Sequence, residues 1–246
     1  MTEIVEVIRR SEQGVTRPFL CRSSDGVVYF VKGRGAGRRS LICELLAVLL
    51  AKHLELPIAP FRVLTVPAEL DKALPNEQRI DLGTSPVFGS ERIELAQEVN
   101  PTHLEQLENP DGDVPLMIFG FDLWIRNGDR TLTRLGGNPN LLWSPHEPRL
   151  RIIDHNVAFA EDFSRQDFFD THVFAKWVGH VPDWVRRTEF GDAMSAALEH
   201  WDGFVDQVPD EWWYTDDERT VPTAFDADAA LNMLKSCKDD HFWDAP

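Results

Sequence analysis

One stretch constrains the fold more than any other: from Leu41 to Leu54 the chain is apolar on nearly every side of a helix, yet Glu44 stands inside it. A helix without a polar face has to be enclosed by other elements, and an ionised carboxylate within it is costly unless a cation meets it. The sequence supplies one upstream. Pro18 to Arg22 and Val27 to Lys32 read as strands around Ser23-Ser24-Asp25-Gly26, whose Asp-Gly pair favours the positive backbone angles of a tight hairpin turn. Alternation along the second strand puts Lys32 with Val28 and Phe30 on the face expected to be buried. Two readings of the pair stand. In one, a helix glutamate holds the lysine so that its ammonium reaches nucleotide phosphates. In the other, Lys32 is a solvated strand end and Glu44 favours a helix N-terminus capped by Ser40.

The rest of the first half reads as further strands: Glu3 to Arg9, Phe61 to Val66, and an extended stretch from Val87 to Val99 containing Gly89. Leu56-Pro57 ends the buried helix, and Pro67 to Pro75 is a short helix or loop. Asn109-Pro110-Asp111-Gly112-Asp113 clusters turn formers and marks a boundary. The expected division is an N-terminal lobe over 1–108 and a helical C-terminal lobe over 109–246. In the latter, Val114 to Ile125 is an apolar-rich helix, followed by a polar loop from Arg126 to Pro139. Two short strands come next, Asn140 to Trp143 and Leu150 to Ile153, and helical patterns take over from about Asp167. The fold class expected is α+β: an antiparallel sheet plus helix, then a mainly helical lobe.

Charge and composition exclude several functions. The 246 residues carry a formal charge of −16, which opposes general attraction to nucleic acid or an anionic membrane. Residues 160–246 hold 7 basic and 20 acidic side chains, so most of the acidity is C-terminal. Against it, Lys32-Gly33-Arg34-Gly35-Ala36-Gly37-Arg38-Arg39 forms a local anion-binding candidate, the alternative being a mobile basic loop before a helix. No apolar run is long enough to span a bilayer, and the N-terminus has no basic segment before an apolar one, so a cytoplasmic location is expected. Three scattered cysteines, Cys21, Cys43 and Cys237, form no paired motif and are expected as reduced thiols. Walker A, H-E-x-x-H and G-x-S-x-G patterns do not occur. His172 and His180 lie in an aromatic segment and read as packing residues, as do most of the tryptophans concentrated in the last third.

The most informative segment runs from Asn127-Gly128-Asp129-Arg130 through Asn138-Pro139-Asn140 to Ile153-Asp154. Pairing the two strands symmetrically about a turn between His146 and Glu147 puts Asn140 opposite Ile153, one residue from Asp154. An amide oxygen and a carboxylate at the open end of one hairpin make a hard-oxygen site of the kind Mg²⁺ prefers. Asp129, from the preceding loop, is placed to orient or deprotonate an attacking hydroxyl. Upstream, Gly14-Val15-Thr16-Arg17 can cover phosphates with backbone N–H groups, a hydroxyl and a guanidinium.

Taken together, Gly14-Val15-Thr16-Arg17-Pro18, Asp25-Gly26 with Tyr29-Phe30-Val31-Lys32, Glu44, Phe88-Gly89-Ser90, Asn127-Gly128-Asp129-Arg130, Asn138-Pro139-Asn140-Leu141-Leu142 and Ile153-Asp154 resemble the HipA-like kinases, bacterial relatives of the protein-kinase and phosphatidylinositol-kinase fold. The resemblance implies a two-lobed kinase-like fold and ATP- and Mg²⁺-dependent transfer of the γ-phosphoryl group to a hydroxyl, most plausibly a protein serine or threonine. It makes Lys32 the contact to the α- and β-phosphates, with Gly14, Thr16 and Arg17 beside it and Glu44 as its holder. Asp129 is then the catalytic base, and Asn140 and Asp154 ligate the metal. It also raises an antitoxin or regulatory protein as partner; nucleic acid and membrane are not expected as partners, on the charge given above. The long loop from Thr131 to Gly137 favours an alternative, a pseudokinase or nucleotide-binding scaffold acting by protein–protein interaction. A small-molecule or lipid kinase would use the same residues on a different acceptor.

Overall fold

The computed structural model describes residues 2–11, 17–84, 86–106, 114–133, 136–146, 150–178, 184–239 and 241–246. Gly14, Thr16, the expected boundary at 109–113, the hairpin centre at Glu147 and Pro148, and His180 lie outside the described residues. The chain forms two compact units, one built from Met1–Leu45, Ala59–Glu94 and Val208–Phe225, the other from Leu46–Ile58, Leu95–Gln207 and Asp226–Pro246.

The first unit is built on a five-stranded antiparallel sheet. Its strands are β1 (Ile4–Arg10), β2 (Phe19–Ser23), β3 (Val28–Lys32), β4 (Phe61–Leu64) and β5 (Val87–Glu91), in the order β1-β2-β3-β5-β4. The β2–β3 hairpin is present, but its turn differs from the expected one. Only Gly26 has a positive φ, 86°. Gly26 N–H donates to the Ser23 carbonyl and Ser23 N–H to that of Val27, both at 2.9 Å, so three loop residues form a turn with glycine at the left-handed position. The Asp25 carboxylate, held by Ser23 Oγ at 2.5 Å and Arg62 Nη1 at 2.9 Å, stabilises that wider loop.

The core face of β3 also differs from expectation. Tyr29 and Val31, not Val28 and Phe30, join Ile4, Phe19, Cys21, Leu64, Val66, Leu82 and Val87 in the apolar cluster. The strand is apolar on both faces, so alternation alone does not choose the core side. β4 stops at Leu64 because Thr65 turns to β1, donating its N–H to Thr2 O at 3.1 Å and accepting from Ile4 N at 2.9 Å. Gly89 of β5 admits its neighbours closely: a Cβ there would sit 2.7 Å from Leu64 Cδ1. Two short helices, α2 (Ala68–Ala73) and α3 (Asn76–Leu82), follow β4.

Helix α1 (Arg38–His53) is buried continuously from Leu41 to Ala51, Glu44 included. It ends in a Schellman motif: Glu55 takes the left-handed conformation at φ 56°, Leu56 N–H bonds Ala51 O at 2.9 Å and Glu55 N–H bonds Lys52 O at 3.1 Å. The stop therefore lies two residues before Pro57. Segment 208–225, which the sequence placed among the C-terminal helices, packs into the first unit. Trp212, wholly buried, donates its indole N–H to Pro86 O at 2.8 Å.

The second unit has a three-stranded sheet, β6 (Gln97–Glu98), β7 (Leu141–Trp143) and β8 (Leu150–Ile152), in that order. The expected stretch Val87 to Val99 is thus two strands in two sheets. Helix α4 (Pro101–Gln106) follows β6, and α5 (Val114–Trp124) is buried along almost its whole length, Asp122 included. Downstream lie α6 (Arg165–Thr171), α7 (Ala175–Val178), α8 (Trp184–Ala197), α9 (Trp201–Val205) and α10 (Ala227–Leu234). Phe119 of α5 meets Phe168 of α6 with ring centroids 4.9 Å apart, and Trp124 donates to Leu234 O at 2.6 Å. All three cysteines are free and buried; burial pushes the thiols of Cys21 and Cys43 up to about 12 and that of Cys237 to about 11. Among the described residues no helix is long and apolar enough to cross a membrane.

Candidate active site

In the first unit, Lys32 at the end of β3 donates from Nζ to Glu44 Oε2 at 2.8 Å, with side chains only 10% and 3% exposed. The helix carboxylate and the strand ammonium therefore form a buried pair, and Lys32 is no solvated strand end. The segment that follows is ordered against its neighbours. Arg34–Ala36 forms a single 3₁₀ turn, and Arg34 pairs with Asp217 at 3.1 Å. Gly33 lies so close to α3 that a Cβ would sit 2.3 Å from Leu82 O. Arg17 is exposed with φ 40°, its carbonyl accepting from Arg10 Nε at 3.3 Å.

In the second unit the register expected from the hairpin holds. Leu141 pairs with Ile152 and Trp143 with Leu150, and Ile153 N–H donates to Asn140 O at 3.1 Å. Asn140 and Asp154 flank this last bond, both in the left-handed region at φ 46° and 57°, a conformation that Asn and Asp tolerate best among non-glycine residues. Asp129 joins them: its Oδ2 accepts from Asn140 Nδ2 at 2.9 Å and from Asn138 Nδ2 at 3.2 Å. Burial pushes the Asp129 carboxyl up and the Asp154 charge adds to it; the bonds from Asn140 and Asn138 and the charge of Arg130 oppose, leaving it above the usual range.

The long loop does not part these groups. Thr131 N–H donates to Asn138 O at 2.9 Å, and Thr133 and Gly136 exchange bonds at 3.0 and 3.1 Å. Thr131 with Asn138 and Thr133 with Gly136 thus close the base of the insertion. Gly137 allows the closure, since a Cβ there would sit 2.4 Å from Thr131 O.

Arg130, with no exposed surface, holds the arrangement from below. Its Nη1 donates to the carbonyls of Asn140, Ile153 (3.2 Å) and Pro139 (3.4 Å), so one guanidinium ties the segments that precede both Asp154 and β7. Its Nε donates to Asp122 Oδ2 at 2.6 Å and its Nη2 to Asp122 Oδ1 at 3.4 Å. Asn127 Nδ2 donates to Asp122 Oδ1 at 2.9 Å, and His172 Nε2 lies 3.0 Å from Oδ2. The carboxylate thus accepts two bonds on each oxygen, its full capacity. Burial alone would push the Asp122 carboxyl up, but the Arg130 charge and the His172 bond outweigh it and hold it well below the usual range. His155 accepts from Arg130 Nη2 at 3.1 Å, because a guanidinium can only donate.

The sequence reading therefore brought together Asp129, Asn140 and Asp154, and separately Lys32 and Glu44. It missed Asp122, and it gave Arg130, His155 and Asn138 no role of their own. For Asp122 the signal was present, a carboxylate inside the apolar run Val114 to Ile125, the same signal that singles out Glu44.

A family model described as HipA-like kinase matches residues 4–246. Among solved structures, that of a Helicobacter pylori proinflammatory kinase CtkA has the same fold, with a TM-score of 0.51 and 11% identity over 97% of this chain and 92% of that one. No curated protein matches the chain.

Proposed function

The chain belongs to the HipA-like kinase family, and from that premise we propose that it transfers the γ-phosphoryl group of ATP to the hydroxyl of a protein serine or threonine, with Mg²⁺ as cofactor. The observation that carries this reading is the convergence of Asp129, Asn140 and Asp154 at the open end of the β7–β8 hairpin, fixed by Arg130.

In this reading Asp129 accepts the proton of the acceptor hydroxyl while the new bond from that oxygen to the γ-phosphorus forms. The bond from the γ-phosphorus to the bridging oxygen of ADP breaks in the same displacement, and ADP leaves. The raised carboxyl of Asp129 suits a proton acceptor, since a base gains driving force as its pKa approaches the working pH. Lys32 contacts the α- and β-phosphates, oriented by Glu44. Gly14, Thr16 and Arg17 belong to the same proposal as phosphate contacts.

Asn140 and Asp154 fit a magnesium ion by their chemistry. Both offer hard oxygens, and the Asn140 amide, with its Nδ2 turned to Asp129, leaves its oxygen for a cation. Among the described residues no group of three His, Cys, Asp or Glu could hold a metal, and a pair of oxygen ligands completed by phosphates and water is what Mg²⁺ chemistry uses. When bound, the ion would neutralise charge on the transferring phosphoryl group. A cytoplasmic setting and a regulatory or antitoxin partner complete the reading.

The test is incubation of the purified protein with γ-labelled ATP and Mg²⁺ alongside Asp129→Ala and Asp154→Asn. Label on protein with wild type that is lost in both variants is expected. Absence of label, with metal-dependent ATP binding retained by calorimetry, would replace the kinase by a nucleotide-binding scaffold.

A further inference from the structure

His172 packs among Phe119, Phe168 and Phe174, at centroid distances of 5.0, 4.7 and 6.1 Å. Packing alone would be served by any aromatic ring, but the polar contacts of this one are specific. Its Nδ1 accepts the Phe174 N–H at 3.2 Å, which leaves the ring proton on Nε2, and Nε2–H then donates to Asp122 Oδ2 at 3.0 Å. The neutral ring is favoured because burial and the Arg130 charge together disfavour protonation, against the pull of Asp122.

The backbone on either side of His172 is joined to the loop that carries Asp129. Val173 N–H donates to Arg130 O and Leu132 N–H to Thr171 O, both at 3.0 Å, and Thr131 and His172 form an antiparallel bridge. Residues 130–132 are thereby sewn to 171–173 through main chain, while the imidazole reaches past them to the carboxylate that orients Arg130. We propose that His172 is a positioning residue for phosphoryl transfer: through Asp122 and Arg130 it fixes Asp129 and the carbonyls beside Asn140 and Asp154, without touching nucleotide or acceptor. This rests on the roles given above to Asp129, Asn140 and Asp154.

Three variants separate positioning from packing. His172→Phe keeps an aromatic ring but has no donor; His172→Gln places an amide N–H near the former Nε2; His172→Asn places one near the former Nδ1. In folded His172→Phe, kcat is expected to fall on the order of 10²-fold, the loss typical of a small misplacement of reacting groups, with KM for ATP within about twofold. His172→Gln should recover to within about threefold of wild type and His172→Asn should not, a contrast that remains decisive if His172→Phe fails to fold. Wild-type kcat in folded His172→Phe, or equal activity of the Gln and Asn variants, overturns the proposal. If the wild type itself transfers no phosphoryl group, the kinase reading fails separately, and hydrogen exchange decides the positioning. Faster exchange at the Leu132 and Val173 amides in His172→Asn, restored in His172→Gln, supports it; unchanged exchange overturns it.

Discussion

Replacing Arg130 by Met removes the one cation bonded to Asp122 and keeps much of the side-chain volume. Both side chains of the pair are wholly buried, and removing one partner of a buried pair costs about 3–5 kcal/mol because an uncompensated charge remains. Asn127 and His172 still donate to Asp122, which points to the low end; the Asn140 carbonyl keeps its bond from Ile153 N–H, while the Ile153 carbonyl loses its donor, at about 1–3 kcal/mol for a group left unsatisfied. A loss of about 4 kcal/mol is the working figure, and at about 2–4 °C per kcal/mol for a chain of this size the melting temperature should drop by about 8–16 °C. The control is Lys238→Met. Lys238 pairs with Asp192, but the two side chains are 51% and 63% exposed, and such a pair contributes less than about 1 kcal/mol.

The pH dependence separates an electrostatic loss from a packing loss. Asp122 is held well below its unfolded value of about 3.9, so in the wild type its contribution is present above that value and disappears as pH falls through the folded pKa. In Arg130→Met only the bonds from Asn127 and His172 still oppose burial, so the carboxyl is expected to rise above its unfolded value and folding to gain as acid neutralises it. The gap between the two proteins is therefore widest near neutral pH and narrows on acidification. Thermal unfolding followed by circular dichroism from pH 7 to pH 4 measures it. An Arg130→Met melting temperature within about 4 °C of wild type, or a gap that does not change with pH, would refute the reasoning.

Glu44→Gln should weaken the hold on Lys32 by one charge-assisted bond and raise KM for ATP about tenfold or more, with an unchanged KM counting against Lys32 as a phosphate contact. Gly137→Ala forces a Cβ to within 2.4 Å of Thr131 O, so the base of the 131–138 loop must open. Faster hydrogen exchange at Thr131 and a fall in phosphoryl transfer are expected, and neither would appear if the closure were incidental to the site. In Gly120→Ala the new Cβ meets Trp243 at 2.2 Å; the indole should be expelled from α5, seen as a red-shifted tryptophan emission.

What the sequence made legible follows the range of the physics involved. The β7–β8 register could be read because a hairpin pairs residues symmetrically about its turn, and this alone placed Asn140 beside Asp154. Glu44 and Asp122 carry the same local signal, a carboxylate in an apolar helix, and each demands a buried partner. For Glu44 the partner lies 12 residues back, at the end of a strand whose bounds could be read even though its core face could not. For Asp122 two partners are close in sequence, Asn127 and Arg130, but they lie in an irregular loop with no period to aim them, and the third, His172, lies 50 residues downstream, where no periodicity reaches. The same limit hid the return of segment 208–225 to the first unit, where Trp212 bonds a carbonyl 126 residues away, and the two-residue strand β6, too short to show alternation. The face of β3 was misassigned because Val28 to Val31 is apolar on both sides. Burial of a charge therefore announces from the sequence that a partner exists, while the identity of that partner is set by tertiary topology. The residues that act directly in the proposed chemistry sit in short, readable turns and hairpins, and those that hold them in place are joined only by the fold.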